Sequence, residues 1–370
     1  MRVQLVDPSA YTPPYDHALA AALARAGVEV ELMTSRFVHG APPPAEGFAV
    51  REHFYRRATS RAHSRNARRL LRTAEHVPDM LRYRARARDA DVRHYQWLPI
   101  EAIDWLLLAP ARPRVMTMHN VLRRGSGSLH EAATRMLARR MDALVVHTRA
   151  GAGDLTRRFG ADPDRVHVIP HGALDYLTRL PGEGPLPADL EAVEGPVILW
   201  FGLLRPYKGV DVLLDAFRDL EGAELWVVGM PHVDMGPLRA AAARASGTVR
   251  FVERFVGDHE MPAFFRRADV VVLPHRRVDQ SGVLYTALAF GKPIVMSDIG
   301  GFSEVASDHG AARLVAPDDS EALRDALAEL VSDPAARAAL ASAASAAAAG
   351  PYSWDEIGRR TVQLYERLLA

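Results

Sequence analysis

Short apolar runs alternate with amphipathic stretches from one end of the chain to the other. Val3–Val6, Val28–Met33, Val115–Met118, Ala143–Val146 and Val166–Ile169 are apolar and rich in β-branched residues. That pattern predicts strands buried on both faces. Asp16–Ala26 has helical spacing, with Asp16 placed to cap its start and Gly27 just past its end. The second half repeats the rhythm with strands predicted at Val197–Phe201, Glu224–Val228, Val249–Phe251, Val270–Leu273 and Pro293–Met296. Such βα alternation predicts an α/β fold with parallel sheets, and two sets of it predict two doubly wound domains. The Pro- and Gly-rich stretch within Arg179–Pro196 reads as the linker, which divides the chain into 1–180 and 181–352. Ala335–Ala349 is a helix by propensity. Ser353-Trp-Asp-Glu356 then fits a capping box opening a last amphipathic helix to Leu369.

Composition narrows the class. At 370 residues the chain exceeds what one core usually supports. Its net charge of +1 gives no global field for nucleic acid. The absence of cysteine excludes disulfides, thiolate metal sites and a cysteine nucleophile. The N-terminus lacks a signal-peptide pattern and no apolar run is long enough to span a bilayer, so a cytoplasmic protein is expected. Arg51–Arg93 is rich in arginine and poor in acids. It reads as a solvated helical face by default, as a peripheral dock on anionic lipid, or as a binding surface for a phosphorylated acceptor.

Forty-six residues are basic, and only Lys208 and Lys292 are lysines. A lysine kept among so many arginines marks a place that needs a compact ammonium. Gly202-Leu-Leu-Arg-Pro-Tyr-Lys-Gly209 joins a predicted strand to a predicted helix, Val210–Leu220. A strand–glycine loop–helix unit offers backbone N–H groups and a helix N-terminus to an anion, and Arg205 and Lys208 add two cations. The combination suits a diphosphate, although a plain surface turn with solvated cations fits the same residues. It is not a Walker loop. Ser281 or Gly282 is expected to start another helix, ending at Gly291. The N–H groups of Gly282 and Val283 would then face the C-terminal sheet edge, where ligands of open α/β sheets bind. Ser281 can cap that helix or donate to a phosphate oxygen. Thr286 lies one turn inside, and Lys292 is expected to cap the helix C-terminus.

These stretches, with Thr117-Met-His-Asn120, Val168-Ile-Pro-His-Gly172, Ala268-Asp-Val-Val-Val-Leu-Pro274 and Asp298-Ile-Gly-Gly-Phe-Ser-Glu304, resemble the retaining GT-B glycosyltransferases of family 4 over essentially the whole chain. The resemblance implies two Rossmann-like domains facing across a cleft, acceptor-binding in the N-terminal half and nucleotide-sugar-binding in the C-terminal half. It implies that helix 353–370 crosses back onto the first. It further implies sugar transfer from a nucleoside diphosphate sugar, UDP by family precedent, with no metal and no cofactor. Lys208 matches the lysine that contacts the donor diphosphate, and His119 the histidine near the transferred sugar. The family arginine after the loop glycine is Leu203 here, which leaves Arg205 as the second cation. Two family glutamates fall at Val278 and Thr286, with Asp279 as the nearest substitute carboxylate for the first. The glycine pair after the first strand is replaced by Tyr11-Thr-Pro-Pro-Tyr-Asp16, where Tyr15 and Asp16 are candidates for the acceptor side. A nucleotide-sugar epimerase, or a non-enzymatic binder of nucleotide sugars or RNA, are the competing functions.

Overall fold

The computed structural model describes the chain apart from residues 39, 62–63, 122–127 and 279–280 and the side chains of 61, 65 and 128–130. It divides into two compact units, one of Met1–Gly172 with Trp354–Ala370 and the other of Ala173–Ser353. The change of unit thus falls before the predicted linker. Residues 173–180 are tied to the second unit, because Ala173 N–H donates to Tyr352 O, Leu174 N–H to Tyr285 O, and Arg266 to Thr178 O. The Pro-rich stretch is fastened there too, through Gly184 N–H to His259 O.

Among the described residues the first unit holds β1 (Arg2–Asp7), β2 (Glu29–Ser35), β3 (Ala49–Phe54), β4 (Val92–Tyr95), β5 (Arg114–Thr117), β6 (Ala143–Val146) and β7 (Val166–Val168). They form one parallel sheet in the order β3-β2-β1-β4-β5-β6-β7. The second unit holds β8 (Val197–Phe201), β9 (Glu224–Val228), β10 (Val249–Val252), β11 (Val270–Leu273), β12 (Ile294–Ser297) and β13 (Arg313–Val315), parallel in the order β10-β9-β8-β11-β12-β13. In each sheet the strand order reverses beside the first strand, between β1 and β4 and between β8 and β11. The carboxyl ends of such a pair form the crevice in which doubly wound sheets bind ligands.

The central strands are apolar and buried because helices cover both faces of each sheet. Trp200 and Trp226 are fully buried in the second sheet. The helix Trp354–Leu369 completes the core of the first unit, packing Trp354, Ile357, Leu364 and Tyr365 with Leu19, Leu23 and Val145. Gly358 makes this possible, since a Cβ there would lie 3.0 Å from the backbone and Cβ of Ala22.

The first helix runs Pro13–Arg25, not from Asp16. Thr12 takes the N-cap position, and proline, whose fixed φ and missing N–H suit a first turn, occupies its start. Asp16 therefore sits inside the first turn. β3, β4 and β13 were not apparent from hydrophobicity. β3 is a solvent-facing edge strand. β4 is wholly buried yet carries Arg93 and His94, whose polar atoms find partners in Ala87 O, Tyr365 Oη and Thr117 Oγ1.

Candidate functional site

The second unit brings the Gly202–Gly209 loop and the start of the helix Gly282–Ala289 together at the β8–β11 switch point. β8 is followed directly by Gly202, whose φ of +128° is a backbone state that side-chain-bearing residues avoid. A Cβ on Gly202 would lie 2.6 Å from Lys208 Nζ and 3.7 Å from Val283 Cγ2. The Lys208 ammonium thus occupies the space a side chain at 202 would take, next to the start of the helix Gly282–Ala289. Its Nζ is 5.7 Å from the centre of the Trp200 ring.

Pro206–Lys208 form a single 3-10 turn closed by Gly209 at φ +67°. All three carbonyls of the turn accept bonds from the protein. Arg276 Nη1 donates to Pro206 O at 2.7 Å, Arg276 N–H to Tyr207 O at 2.8 Å, and Trp200 Nε1 to Lys208 O at 3.4 Å. Arg276 also grips both oxygens of Asp211 at 3.0 and 2.7 Å and Asp318 at 2.5 Å. These carboxylates raise its already high pKa further. Arg276 thereby bolts the Lys208 turn to the end of β11, a role that the sequence did not announce.

Ser281 precedes the helix Gly282–Ala289 in extended conformation, and its side chain makes no capping bond. The first N–H groups of a helix have no acceptor within it, so those of Gly282 and Val283 remain to be satisfied from outside the helix. Thr286 is buried and its hydroxyl donates to Gly282 O at 2.9 Å, so its proton serves the helix backbone instead of a ligand. Arg205 is exposed. Lys292 does not cap its own preceding helix. Its Nζ donates to Arg266 O at 2.8 Å and Ala268 O at 2.9 Å, which closes the C-terminus of the neighbouring helix Met261–Arg267. Asp279 lies outside the described residues.

In the first unit a histidine stands at or just beyond each of four successive strand ends. His94 lies in β4, and His119, His147 and His171 follow β5, β6 and β7. His147 Nδ1 is 2.9 Å from Ile169 O and therefore carries its proton there. His147 Nε2, 3.2 Å from His119 Nδ1, must then accept from it. A neutral His119 consequently leaves Nε2 without a proton, so the Gln96 amide 3.3 Å away must turn its NH2 group toward the ring and donate to it, which also gives that otherwise unpartnered nitrogen its bond. The His119 ring stacks on Trp97, with centroids 4.7 Å apart and planes at 9°, and Trp97 in turn meets Tyr11 at 4.4 Å. Trp97, Gln96 and His147 were missed by the sequence reading; for His147 a polar residue directly after the apolar run Ala143–Val146 was a signal, while the polar strand β4 gave none for Gln96 and Trp97.

Tyr15 and Asp16 are both buried. The Tyr15 ring is buried edge-on against His119 and His147 and beneath Trp354. Asp16 is buried against Asp7, and burial pushes both carboxyls up, Asp16 further. Asp16 therefore holds a proton and donates to Asp7, which also accepts from Ser9 N–H at 3.0 Å and Tyr11 N–H at 2.5 Å.

Two pH effects follow. Burial lowers His94 to about 3, His147 to about 4 and His171 to about 3, and lowers His119 as well. A base with a depressed pKa takes up its proton in the unfolded chain first, so folding stability is lost as pH falls below the ordinary histidine value of about 6.5. Thermal melts should show the first unit weakening progressively from pH 6.5 toward 4. A midpoint constant over that window would contradict the buried, neutral cluster. Asp16 has the opposite sign, because its raised pKa favours folding in acid and opposes it as pH rises above the ordinary aspartate range. Asp16→Asn keeps a donor toward Asp7 but cannot ionise. It should raise the melting temperature at pH 7–8 by about 2–4 °C for each kcal/mol gained, an advantage that shrinks toward pH 4.

Among the described residues no group of three His, Cys, Asp or Glu side chains is placed to hold a metal, and no helix is long and apolar enough to cross a membrane.

Known proteins identify the family and the fold. The sequence profile described as "Glycosyltransferase Family 4" matches residues 15–173, and that described as "Glycosyl transferases group 1" matches residues 195–333. The D-inositol 3-phosphate glycosyltransferase of Xylanimonas cellulosilytica is 33% identical over 305 residues, covering 74% of this chain and 71% of that one. That of Kineococcus radiotolerans is 28% identical, covering 94% and 88%. In fold, sucrose-phosphate synthase from Thermosynechococcus elongatus superposes with a TM-score of 0.73 at 20% identity, over 100% of this chain and 99% of that one. Anabaena HepE in complex with UDP and glucose superposes with a TM-score of 0.73 at 19% identity, over 100% of both chains. The chain belongs to the family 4 glycosyltransferases and has their GT-B fold.

Proposed function

We propose that this glycosyltransferase moves a sugar from a UDP-sugar to an acceptor hydroxyl with retention of configuration. The carrying observation is Lys208 Nζ held over Gly202 beside the open start of the helix Gly282–Ala289. Breaking the bond between sugar and diphosphate builds negative charge on the leaving group. Preorganised charges and N–H groups aimed at that position lower the barrier. Lys208 is a fixed cation there, the N–H groups of Gly282 and Val283 add donors at the positive end of the helix dipole, and Arg205 is a second cation within the same loop. The departing phosphate oxygen would take the acceptor's proton as attack proceeds on the same face. His119 would lie beside the transferred sugar, its ring held in place by Trp97, Gln96 and His147. Asp279 remains the candidate carboxylate near that sugar.

UDP is supported by HepE, whose structures carry UDP and UDP-glucose. A phosphorylated cyclitol or sugar as acceptor is supported by the curated relatives, which are named for D-inositol 3-phosphate. The test is a thermal-shift and turnover screen over UDP-, GDP-, ADP- and dTDP-sugars, followed by NMR of the product's anomeric proton. UDP-sugars should give the largest shift, and the product should keep the donor's configuration. An inverted product, or consumption of the donor without acceptor to give an epimer, would overturn the proposal.

A further inference from the structure

A second cationic site lies at the carboxyl ends of β2 and β3, apart from the histidine cluster. A cavity of about 420 Å³ is lined by four arginines, Arg36, Arg51, Arg56 and Arg86. They come from the loop after β2, from β3, from the helix Arg56–Arg61 and from the end of the helix Arg65–Arg86. The acid on the wall is Glu52. Arg51 is paired with Glu31, and Arg56 Nε donates to Glu52 O at 2.9 Å. Among the described residues Arg36 and Arg86 form no ion pair, so the cavity keeps an excess of positive charge.

The polar groups beside them select the ligand's chemistry. Thr59 Oγ1 donates to Tyr55 O at 2.9 Å, and Ser60 Oγ to Arg56 O at 2.6 Å. The hydroxyl protons are thus used by the backbone, and guanidinium N–H groups are what the cavity offers. Planar guanidinium forks match the paired oxygens of a phosphate.

We propose that this arginine cavity binds a phosphate group distinct from the donor diphosphate. Its place in the sheet argues that the phosphate is remote from the transfer chemistry. β2 is three strands from β5, after which His119 stands, and strands are about 4.8 Å apart, so the separation is roughly 14 Å. The phosphate would sit at the far end of an extended acceptor or on a lipid headgroup. Leu70, Val77 and Leu81, spaced four to seven residues apart on the helix that ends at Arg86, are exposed, which makes the lipid a source to be separated by experiment.

The experiment uses full-length Lys208→Ala protein, in which the proposed donor site is disabled, with and without Arg36→Ala and Arg86→Ala. Both arginines are exposed, and their replacement should leave the unliganded melting temperature unchanged. Inorganic pyrophosphate should bind the Lys208→Ala protein, more weakly as salt rises, and at least about tenfold more weakly after the two arginine replacements. Co-sedimentation with phosphatidylglycerol vesicles, lost on the same replacements and absent with phosphatidylcholine, would identify a lipid headgroup. Pyrophosphate binding without vesicle binding would identify a soluble phosphate. Equal pyrophosphate and vesicle binding with and without Arg36 and Arg86 would overturn the proposal, whatever the fate of the donor reading.

Discussion

Lys208→Ala should reduce sugar transfer by roughly two to three orders of magnitude, the usual cost of removing one preorganised group that stabilises developing charge. The ammonium is held firmly in place. Gly202 leaves the space that Nζ fills, and Arg276 and Trp200 fix the three carbonyls of the turn that carries the side chain. The lost group is a positioned charge, so the fold should be unaffected and the melting temperature nearly unchanged. Lys208→Arg should not restore the rate. Arginine serves almost everywhere else in this chain, but a planar fork is larger than the ammonium and the available space ends at the Gly202 backbone. Steady-state kinetics on both variants checks this. Near-wild-type turnover in Lys208→Ala would remove the diphosphate assignment.

The second large effect is expected at Gly209. A Cβ there would lie 1.8 Å from Pro274 O, and φ is +67°. Gly209→Ala therefore meets a backbone atom that cannot swing aside, in a conformation that alanine itself disfavours by about 1 kcal/mol. Either the Lys208 turn or the end of β11 must move. Stability should fall by about 3 kcal/mol or more, and donor binding should fall with it. Gly310→Ala is the matched control, at φ +61° with nothing within 4 Å of its Cβ. It should cost only the conformational part, about 1 kcal/mol, and leave donor binding intact. Urea unfolding of the two variants separates contact from conformation. Equal losses would show that the close approach to Pro274 carries no energy.

Much of this was legible in the sequence because the relevant signals are local. Val197–Phe201 and Val270–Leu273 are continuous apolar runs, and they form strands over those residues. The glycine loop around Lys208 reads as a strand–loop–helix unit, and both of its glycines take positive φ. What escaped was settled by long-range partners. Lys292 is near a helix end in sequence, yet it bonds to carbonyls 24 and 26 residues away. Asp16 has the composition of a cap, but two prolines before it start the helix earlier and leave it buried against Asp7. Arg276 acts entirely through residues distant in sequence, so no spacing rule could single it out. Thr286 stands where a charged partner was sought, and it is buried with its hydroxyl bonded to Gly282 O within its own helix.

The central claim is that the Gly202–Gly209 loop and the start of the helix Gly282–Ala289 together hold the donor diphosphate. Calorimetric titration of UDP into the wild-type protein and into Lys208→Ala, both verified as folded, tests it most directly. The account predicts saturable 1:1 binding to the wild type and an affinity at least about tenfold lower in the variant, since a charge-assisted contact is worth roughly 1.5–3 kcal/mol. Indistinguishable UDP affinities in the two proteins would contradict it.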